Sequence, residues 1–146
     1  MTSASERLAF ELLEQQFAVM QTYLDALRKR GDVAPAAVRP ELNRLTAAAL
    51  AADSHGSYVV VNDSAAQLTG FNVRELEAMS VWDLTAAPEL RTGERLWAAF
   101  LETRQQRGIY ELRGRYKPVR VAYYAGGRIL PDLHISLLCE CPEAVG

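Results

Sequence analysis

The first thirty residues carry apolar side chains at alternating spacings of three and four, which predicts one long amphipathic helix from about Ala4 to Arg30. This segment holds no proline or glycine, and Gly31 lies where such a helix would stop. The apolar seam of the helix consists of Phe10, Leu13, Phe17, Met20, Leu24 and Leu27. A helix with so broad an apolar stripe must bury it, so the seam needs a partner surface.

Two partner surfaces are open for this seam: the sheet of the same chain, or a second chain. A second helix is predicted from Pro40 to about Ala51, after a linker at residues 31–39. Proline suits the first turn of a helix, and Leu42 and Leu45 repeat the three-and-four spacing. That helix is too short to cover the seam alone. We therefore expect the seam to form a homodimer interface, with packing inside one chain as the alternative.

Residues 53–76 predict, in order, a turn, a strand and two short helices. The first four of them, Asp-Ser-His-Gly, have turn chemistry, and residues 57–61 are aromatic or β-branched, which favours a strand. Asn62 and Asn72 are placed to cap the two helices, and Gly70 is placed to end the first. Each of these signals is local, and together they predict a specific order of elements.

The second half of the chain predicts a long helix followed by three strands. A short helical turn at residues 80–84 precedes the helix, which is expected at residues 89–106, with Pro88 in its first turn and Gly108 beyond its end. Alternation between two faces then predicts antiparallel strands, with a loop before the last one. These strands are expected at residues 109–115, 119–125 and 133–139, and the loop at residues 126–132.

The ordered residues from Asp53 onward resemble those of PAS sensor domains. The resemblance is carried by Asp53-x-x-Gly56, a hydrophobic strand, Asn62-x-x-Ala65-Ala66-x-Leu68-Thr69-Gly70-Phe71 and Glu75-Leu76. It implies an α+β fold: an antiparallel sheet of about five strands, with short helices and one long connecting helix on one face, preceded by two N-terminal helices. The PAS-like domain would span residues 48–141, after a helical extension at residues 1–47 and before a tail at residues 142–146.

Composition narrows the classes of partner. The formal net charge is −2, which gives no electrostatic reason to expect nucleic acid or an anionic membrane. No apolar run approaches the roughly 20 residues that span a bilayer, and the N-terminus lacks the pattern of a secretion signal. We therefore expect a cytoplasmic protein that binds neither nucleic acid nor membrane.

Residues for catalysis or metal binding are scarce. A zinc site usually needs four ligands, and Cys139, Cys141, His55 and His134 are the only cysteines and histidines, so no metal is expected. The neighbouring Asp53, Ser54 and His55 cannot form a nucleophile-base array, because adjacent residues on a turn lack the required directions. No phosphate-binding glycine loop is present. We expect a protein that is not an enzyme.

The resemblance also bears on cofactors. Flavin photosensors of the family carry a reactive cysteine on the cavity wall, and residues 79–84 hold none. Haem sensors hold iron through a histidine in the long helix or its neighbour, and residues 89–106 hold none. Both cofactors are therefore not expected. Non-covalent flavin or a small organic ligand stays open.

The resemblance implies a cavity between the long helix and the sheet, and a small apolar or aromatic ligand would bind there. The expected ligand-binding residues are Trp82, Trp97, Phe100, Tyr110, Leu112, Val121, Tyr123, Ile135 and Leu137. A solid core made of the same side chains is the alternative. The Tyr110 and Tyr123 hydroxyls are the expected polar anchors.

The function implied is that of a sensory module in bacterial-type signalling or transcription regulation. Occupancy of the cavity would shift the sheet, and the N-terminal helices on the outer face or across a dimer would change position. The outer face is expected to carry Val60, Ala122, Tyr124 and Leu138. A ligand-free interaction module that docks on a separate kinase or transcription regulator is the alternative.

Overall fold

One antiparallel sheet of five strands organises the computed structural model of the protein, which describes residues 4–85 and 90–141, without the side chains of residues 90–92. The strand order is β2-β1-β5-β4-β3. The elements in chain order are α1 (Ala4–Lys29), α2 (Pro35–Leu42), β1 (Ala48–Ala52), β2 (Tyr58–Val61), α3 (Asp63–Thr69), α4 (Val73–Leu76), α5 (Leu90–Thr103), β3 (Gln105–Arg113), β4 (Pro118–Leu130) and β5 (Leu133–Glu140). The predicted α+β architecture and its PAS-like sheet are confirmed.

The long helix α1 covers one face of the sheet. Its seam residues Leu13, Met20 and Leu24 have no exposed surface, and they pack with Ala122, Ile135 and other side chains of that face. Ion pairs also join α1 to the sheet: Glu6 contacts Arg120 at 3.0 Å, and Glu14 contacts Arg107 at 2.9 Å. The structure thus realises the intramolecular alternative, and the seam is not an exposed surface for a second chain.

The prediction for residues 31–51 is wrong in its boundaries. The second helix begins at Pro35, inside the expected linker, and ends at Leu42. The proline in the first turn of the helix is Pro35. Pro40 lies near the end of the helix, and it has no backbone N–H to donate to the preceding turn. Residues 48–52 form strand β1, although alanine favours helices, because this segment pairs on both sides, with β2 and with β5.

The local signals of residues 53–76 are confirmed. Gly56 and Gly70 both have φ of +83°, which glycine adopts without strain, and they close the β1–β2 turn and end α3. The Asn62 side chain accepts from the Ala65 N–H, and Asn72 forms a capping box with Glu75. These caps fix where each short helix starts.

Three elements in the second half differ from expectation in their boundaries, and one of them is β3, which spans Gln105–Arg113 rather than residues 109–115. The long helix ends at Thr103 rather than residue 106, and Arg104, with φ of +61°, turns the chain into β3. Strand β4 continues through most of the expected 126–132 loop to Leu130, with an irregularity between Gly126 and Leu130. The expected role of Pro88 lies outside the described residues.

Candidate functional site

A cavity of about 190 Å³ lies between α5 and the face of the sheet opposite α1. Six aromatic rings line it from both sides: three from the segment before α5 and from α5 itself, and three tyrosines from the strands. Small residues of β4 and β5 leave the space open. The described lining residues are Leu50, Tyr58, Val81, Trp82, Thr85, Gly93, Leu96, Trp97, Phe100, Gln106, Ile109, Tyr110, Tyr123, Ala125, Ser136 and Leu138.

Five of the nine predicted ligand-binding residues line this cavity: Trp82, Trp97, Phe100, Tyr110 and Tyr123. Their rings touch one another. Trp97 lies 6.1 Å from Trp82 and 5.6 Å from Phe100 between ring centroids, and Tyr110 lies 5.4 Å from Tyr123 in an edge-to-face arrangement. Such contacts hold the wall in place without filling the space between helix and sheet.

The other four predicted residues do not line the cavity. Leu112 and Val121 are fully buried in the hydrophobic cluster beside it. Ile135 and Leu137 lie on the opposite face, under α1. The prediction placed the more apolar side chains of β5 at the cavity. Both faces of the sheet are in fact buried, one under α1 and one at the cavity, so the more apolar face is not the one that lines the cavity. For the same reason Leu138, expected on the outer face, lines the cavity.

Gln106 is a lining residue that the sequence prediction placed at the end of the long helix. In the structure it lies on β3, and its side-chain amide joins two walls of the cavity. Its Nε2 donates to the Leu96 carbonyl of α5 at 3.0 Å, and its Oε1 accepts from the Tyr123 hydroxyl at 3.0 Å. Burial raises the pKa of Tyr123, so its hydroxyl keeps the proton that this bond needs. The expected anchor Tyr123 is therefore already engaged.

Tyr58 is a second lining residue that the sequence prediction missed. It begins β2, is 8% exposed, and packs in the cluster with Leu50 and Leu138. Burial raises its pKa well above the ordinary value, and Tyr110 and then Asp83 raise it further, so the phenol is neutral. The sequence could have indicated Tyr58 as a lining residue, because Tyr58 lies in the strand predicted at residues 57–61 beside the pocket.

Ser54, Asp132 and His134 come together at the end of the sheet, but not as a catalytic triad. The Ser54 hydroxyl donates to the Asp132 carboxylate and lies 3.1 Å from Nε2 of His134. Nδ1 of His134 accepts from the backbone N–H of Arg128 at 3.0 Å. In a triad the histidine lies between the serine and the carboxylate and takes the serine proton. Here the serine lies in the middle, so this cluster does not activate a nucleophile.

Two further features of the described residues limit the chemistry. The free cysteines Cys139 and Cys141 pack with the α1 face of the sheet, away from the cavity. Within residues 4–85 and 90–141, no three His, Cys, Asp or Glu side chains gather as a metal site would require.

Over the same residues, no helix combines the length and the apolar content needed to cross a membrane.

Comparison with known proteins finds similar folds but no related sequence. No protein-family model matches the chain, and no curated protein matches it. A PAS domain from Colwellia psychrerythraea superimposes with a TM-score of 0.64 at 10% identity, over 82% of this chain and 99% of that one. The LOV protein of Rhodobacter sphaeroides has a TM-score of 0.60 at 14% identity, over 90% of this chain and 70% of that one.

A third similar structure contains a bound molecule. It is the PAS domain of the quorum-sensing receptor RpfR from Cronobacter turicensis in complex with BDSF. Its TM-score is 0.56 at 13% identity, over 65% of this chain and 93% of that one.

Proposed function

This chain has the PAS fold, and we propose that it is a sensory module whose cavity binds a small apolar or aromatic molecule. The observation that carries the proposal is the open space of about 190 Å³ between α5 and the sheet, lined by aromatic and aliphatic side chains. Well-packed interiors leave few voids larger than a water molecule, so a space of this size is a site for a ligand. The likeness in fold to a quorum-sensing receptor domain in complex with BDSF supports the same conclusion.

The size and lining of the cavity favour a small ligand over a flavin or a haem. Pockets for drug-sized ligands measure about 300–1,000 Å³, so a space of about 190 Å³ is too small for a flavin ring system. The described lining holds no cysteine, histidine or methionine that could form a flavin adduct or bind haem iron. A molecule built around a single small ring fits this site better than either cofactor.

A route from the cavity to α1 supports a signalling role. Tyr123 and Tyr124 are neighbours on β4 and point to opposite faces of the sheet. Tyr123 lines the cavity, while the ring of Tyr124 lies 5.0 Å from the ring of Phe17 on α1. A ligand that shifts Tyr123 would therefore shift the contact between the sheet and α1. This module would act on a separate output protein through α1, without catalysis of its own.

The test of ligand binding is native mass spectrometry with an absorbance scan of the purified protein, followed by NMR titration with isopropylbenzene as an apolar probe. Ser136→Leu would fill the cavity, and Glu140→Leu adds the same side chain to an exposed position of the same strand that lies outside the cavity. We expect wild type and Glu140→Leu to bind the probe and Ser136→Leu to lose at least tenfold in affinity. A wild type that carries no co-purified molecule and binds neither isopropylbenzene nor acetophenone, an aromatic ketone of similar shape, would refute the proposal.

The second candidate role is homodimerisation, and a specific surface favours it. The outward face of α1 exposes Leu8, Leu12 and Val19, at 65%, 44% and 44% of their surface, with spacings that place them in one row. Because the seam is buried in its own chain, this row is the apolar surface that α1 offers to a second copy. The double variant Leu12→Glu with Val19→Glu should be a monomer where wild type is a dimer, as judged by the mass from light scattering. Glu11→Gln should keep the mass of wild type. A wild type that is monomeric at high concentration would exclude this role.

A further inference from the structure

The cavity contains a hydrogen-bond donor that has no acceptor among the described residues. The Tyr58 side chain is 8% exposed and lines the cavity; its hydroxyl makes no hydrogen bond to a described residue and keeps surface that faces the open space. A hydroxyl that faces such a space can bond either to water or to an acceptor on a bound molecule. An unpaired donor facing a cavity therefore indicates where a bound molecule places an acceptor.

The neighbouring polar groups give that donor a distinct role. Tyr123 and Gln106 already bond to each other, so their groups do not need a ligand. Ser136 lines the same space with a hydroxyl that is also unpaired within the described part of the chain. Tyr58 is thus the most buried hydroxyl of the lining that remains to be satisfied.

Charge in and around the cavity selects against ions. The described lining contains no Asp, Glu, Lys, Arg or His side chain, so a charged ligand would lose its hydration without gaining a counter-ion. The carboxylate of Asp83 acts on the Tyr58 phenol, and its charge would repel an anion. The wall also contains six aromatic rings among aliphatic side chains, and these rings favour the face or edge of another ring.

We infer that the cavity selects neutral aromatic molecules that carry a hydrogen-bond acceptor, and that Tyr58 is the specificity-determining donor for that acceptor. This inference rests on the proposed ligand-binding function and adds the chemical class of the ligand. A carbonyl, ether or ring-nitrogen acceptor would satisfy the Tyr58 hydroxyl while the ring packs between Trp97 and Tyr110. A pure hydrocarbon of the same shape would bind less tightly because the hydroxyl would stay unpaired.

The experiment compares two probes of nearly equal size and shape in NMR titrations. Acetophenone carries a carbonyl acceptor, and isopropylbenzene has a methine and a methyl group in its place. We expect wild type to prefer acetophenone by about threefold to tenfold, the worth of one neutral hydrogen bond. Tyr58→Phe should abolish that preference. Tyr116→Phe, at a tyrosine that is 84% exposed and remote from the cavity, should keep it.

The possible results separate this inference from the function on which it rests. If neither probe binds to wild type, the ligand-binding function itself fails. If both probes bind and Tyr58→Phe keeps the preference for acetophenone, the function stands and the role of Tyr58 is overturned. Benzoate tests the selection against charge: we expect it to bind at least tenfold more weakly than acetophenone, and equal or tighter binding would contradict the inference.

Stability without ligand provides an independent readout. Tyr58→Phe removes a hydroxyl that faces the cavity and no hydrogen bond to a described residue, so the melting temperature should equal or exceed that of wild type. Tyr123→Phe removes the bond to Gln106 and should lower it. A fall for Tyr58→Phe as large as that for Tyr123→Phe would mean that the Tyr58 hydroxyl has a partner within the chain, which would overturn the inference.

Discussion

The backbone N–H of Arg128 donates to Nδ1 of His134 at 3.0 Å, and this bond fixes the imidazole in its neutral form with the proton on Nε2. The Nε2–H then faces the Ser54 hydroxyl at 3.1 Å, and that hydroxyl donates to Asp132. The imidazole is 5% exposed and its ring lies 6.1 Å from Trp97 and 5.8 Å from Phe100. One histidine thus joins the β4–β5 hairpin to two aromatic rings of the cavity wall.

Folding stability should fall as the pH drops below the ordinary pKa of histidine. Burial lowers the pKa of His134; Asp132 and Asp53 oppose this shift, while Arg128 adds to it. Because the pKa is lower in the folded than in the unfolded chain, the stabilisation is complete above about pH 6.5 and is lost as the pH falls from there through the folded pKa. Protonation would also set an Nδ1–H against the Arg128 N–H.

Urea denaturation between about pH 7 and pH 5 measures this dependence. The chain has two histidines, and His55 provides the matched control because it lies exposed on the β1–β2 turn. We expect His55→Gln to retain the fall in the free energy of unfolding and His134→Gln to lose most of it. Equal slopes for wild type and His134→Gln would show that another group causes the dependence.

Asn62 should be the most sensitive polar position of the fold. Its buried side chain donates to the carbonyls of Leu42 and Ala47 at 2.8 and 3.0 Å, and accepts from the N–H groups of Ala49 and Ala65 at 2.9 and 3.0 Å. Asn62→Ala would leave several of these groups buried without partners, at a cost of roughly 3 kcal/mol or more. Asn72→Ala, at an exposed cap, should cost about 1 kcal/mol in the same urea titration. Equal losses would contradict the central role of Asn62.

The seam of α1 should stabilise the fold of one chain. Leu24 has no exposed surface, so Leu24→Ala should lower the free energy of unfolding by about 2–5 kcal/mol. Leu12→Ala, on the outward face, should change it by less than about 0.5 kcal/mol in a monomer. Light scattering gives the second readout: Leu24→Ala should leave the mass of the folded protein unchanged. A loss of mass without a loss of stability would instead support the dimer expected from the sequence.

The parts of the fold that the sequence predicts well are those written in local chemistry. The caps at Asn62 and Asn72 and the turn at Gly56 depend on bonds between residues close in the chain, so short motifs identify them. Strand β1 could not be predicted this way. Its five residues, four of them alanine, become a strand because β2 and β5 bond to both edges, and that is a long-range effect.

The candidate site was predicted only in part, because some of its features also depend on long-range packing. Its aromatic residues are large, few and suited to a cavity wall, so composition identifies them. The assignment of β5 was wrong because alternation shows which residues share a face of the strand, but it does not show which element packs on each face. Both Ile135 and Leu138 are buried, one under α1 and one at the cavity. The role of Tyr58 depends on an unpaired hydroxyl, which only the three-dimensional arrangement reveals.

The Phe17 ring of α1 lies directly against Gly126 of β4, and this contact provides a test of how the helix packs on the sheet. A Cβ atom added to Gly126 would overlap the Phe17 ring of α1 and lie 2.9 Å from Cδ1 of Ile129. Gly126→Ala should therefore push the ring and the helix away from β4, at a cost of about 1–3 kcal/mol in the free energy of unfolding.

A double-mutant cycle isolates this contact. Phe17→Ala alone should cost about 3–5 kcal/mol, because it leaves a cavity under α1. In the double variant the added methyl group enters the space that the ring has left, so the two losses should sum to more than the measured loss, with a coupling of about 1 kcal/mol. Gly108→Ala is the control, since its added Cβ would meet Tyr123 on the other face, and its loss should add to that of Phe17→Ala. Full additivity for Gly126→Ala with Phe17→Ala would mean that α1 is not seated on β4 at this point.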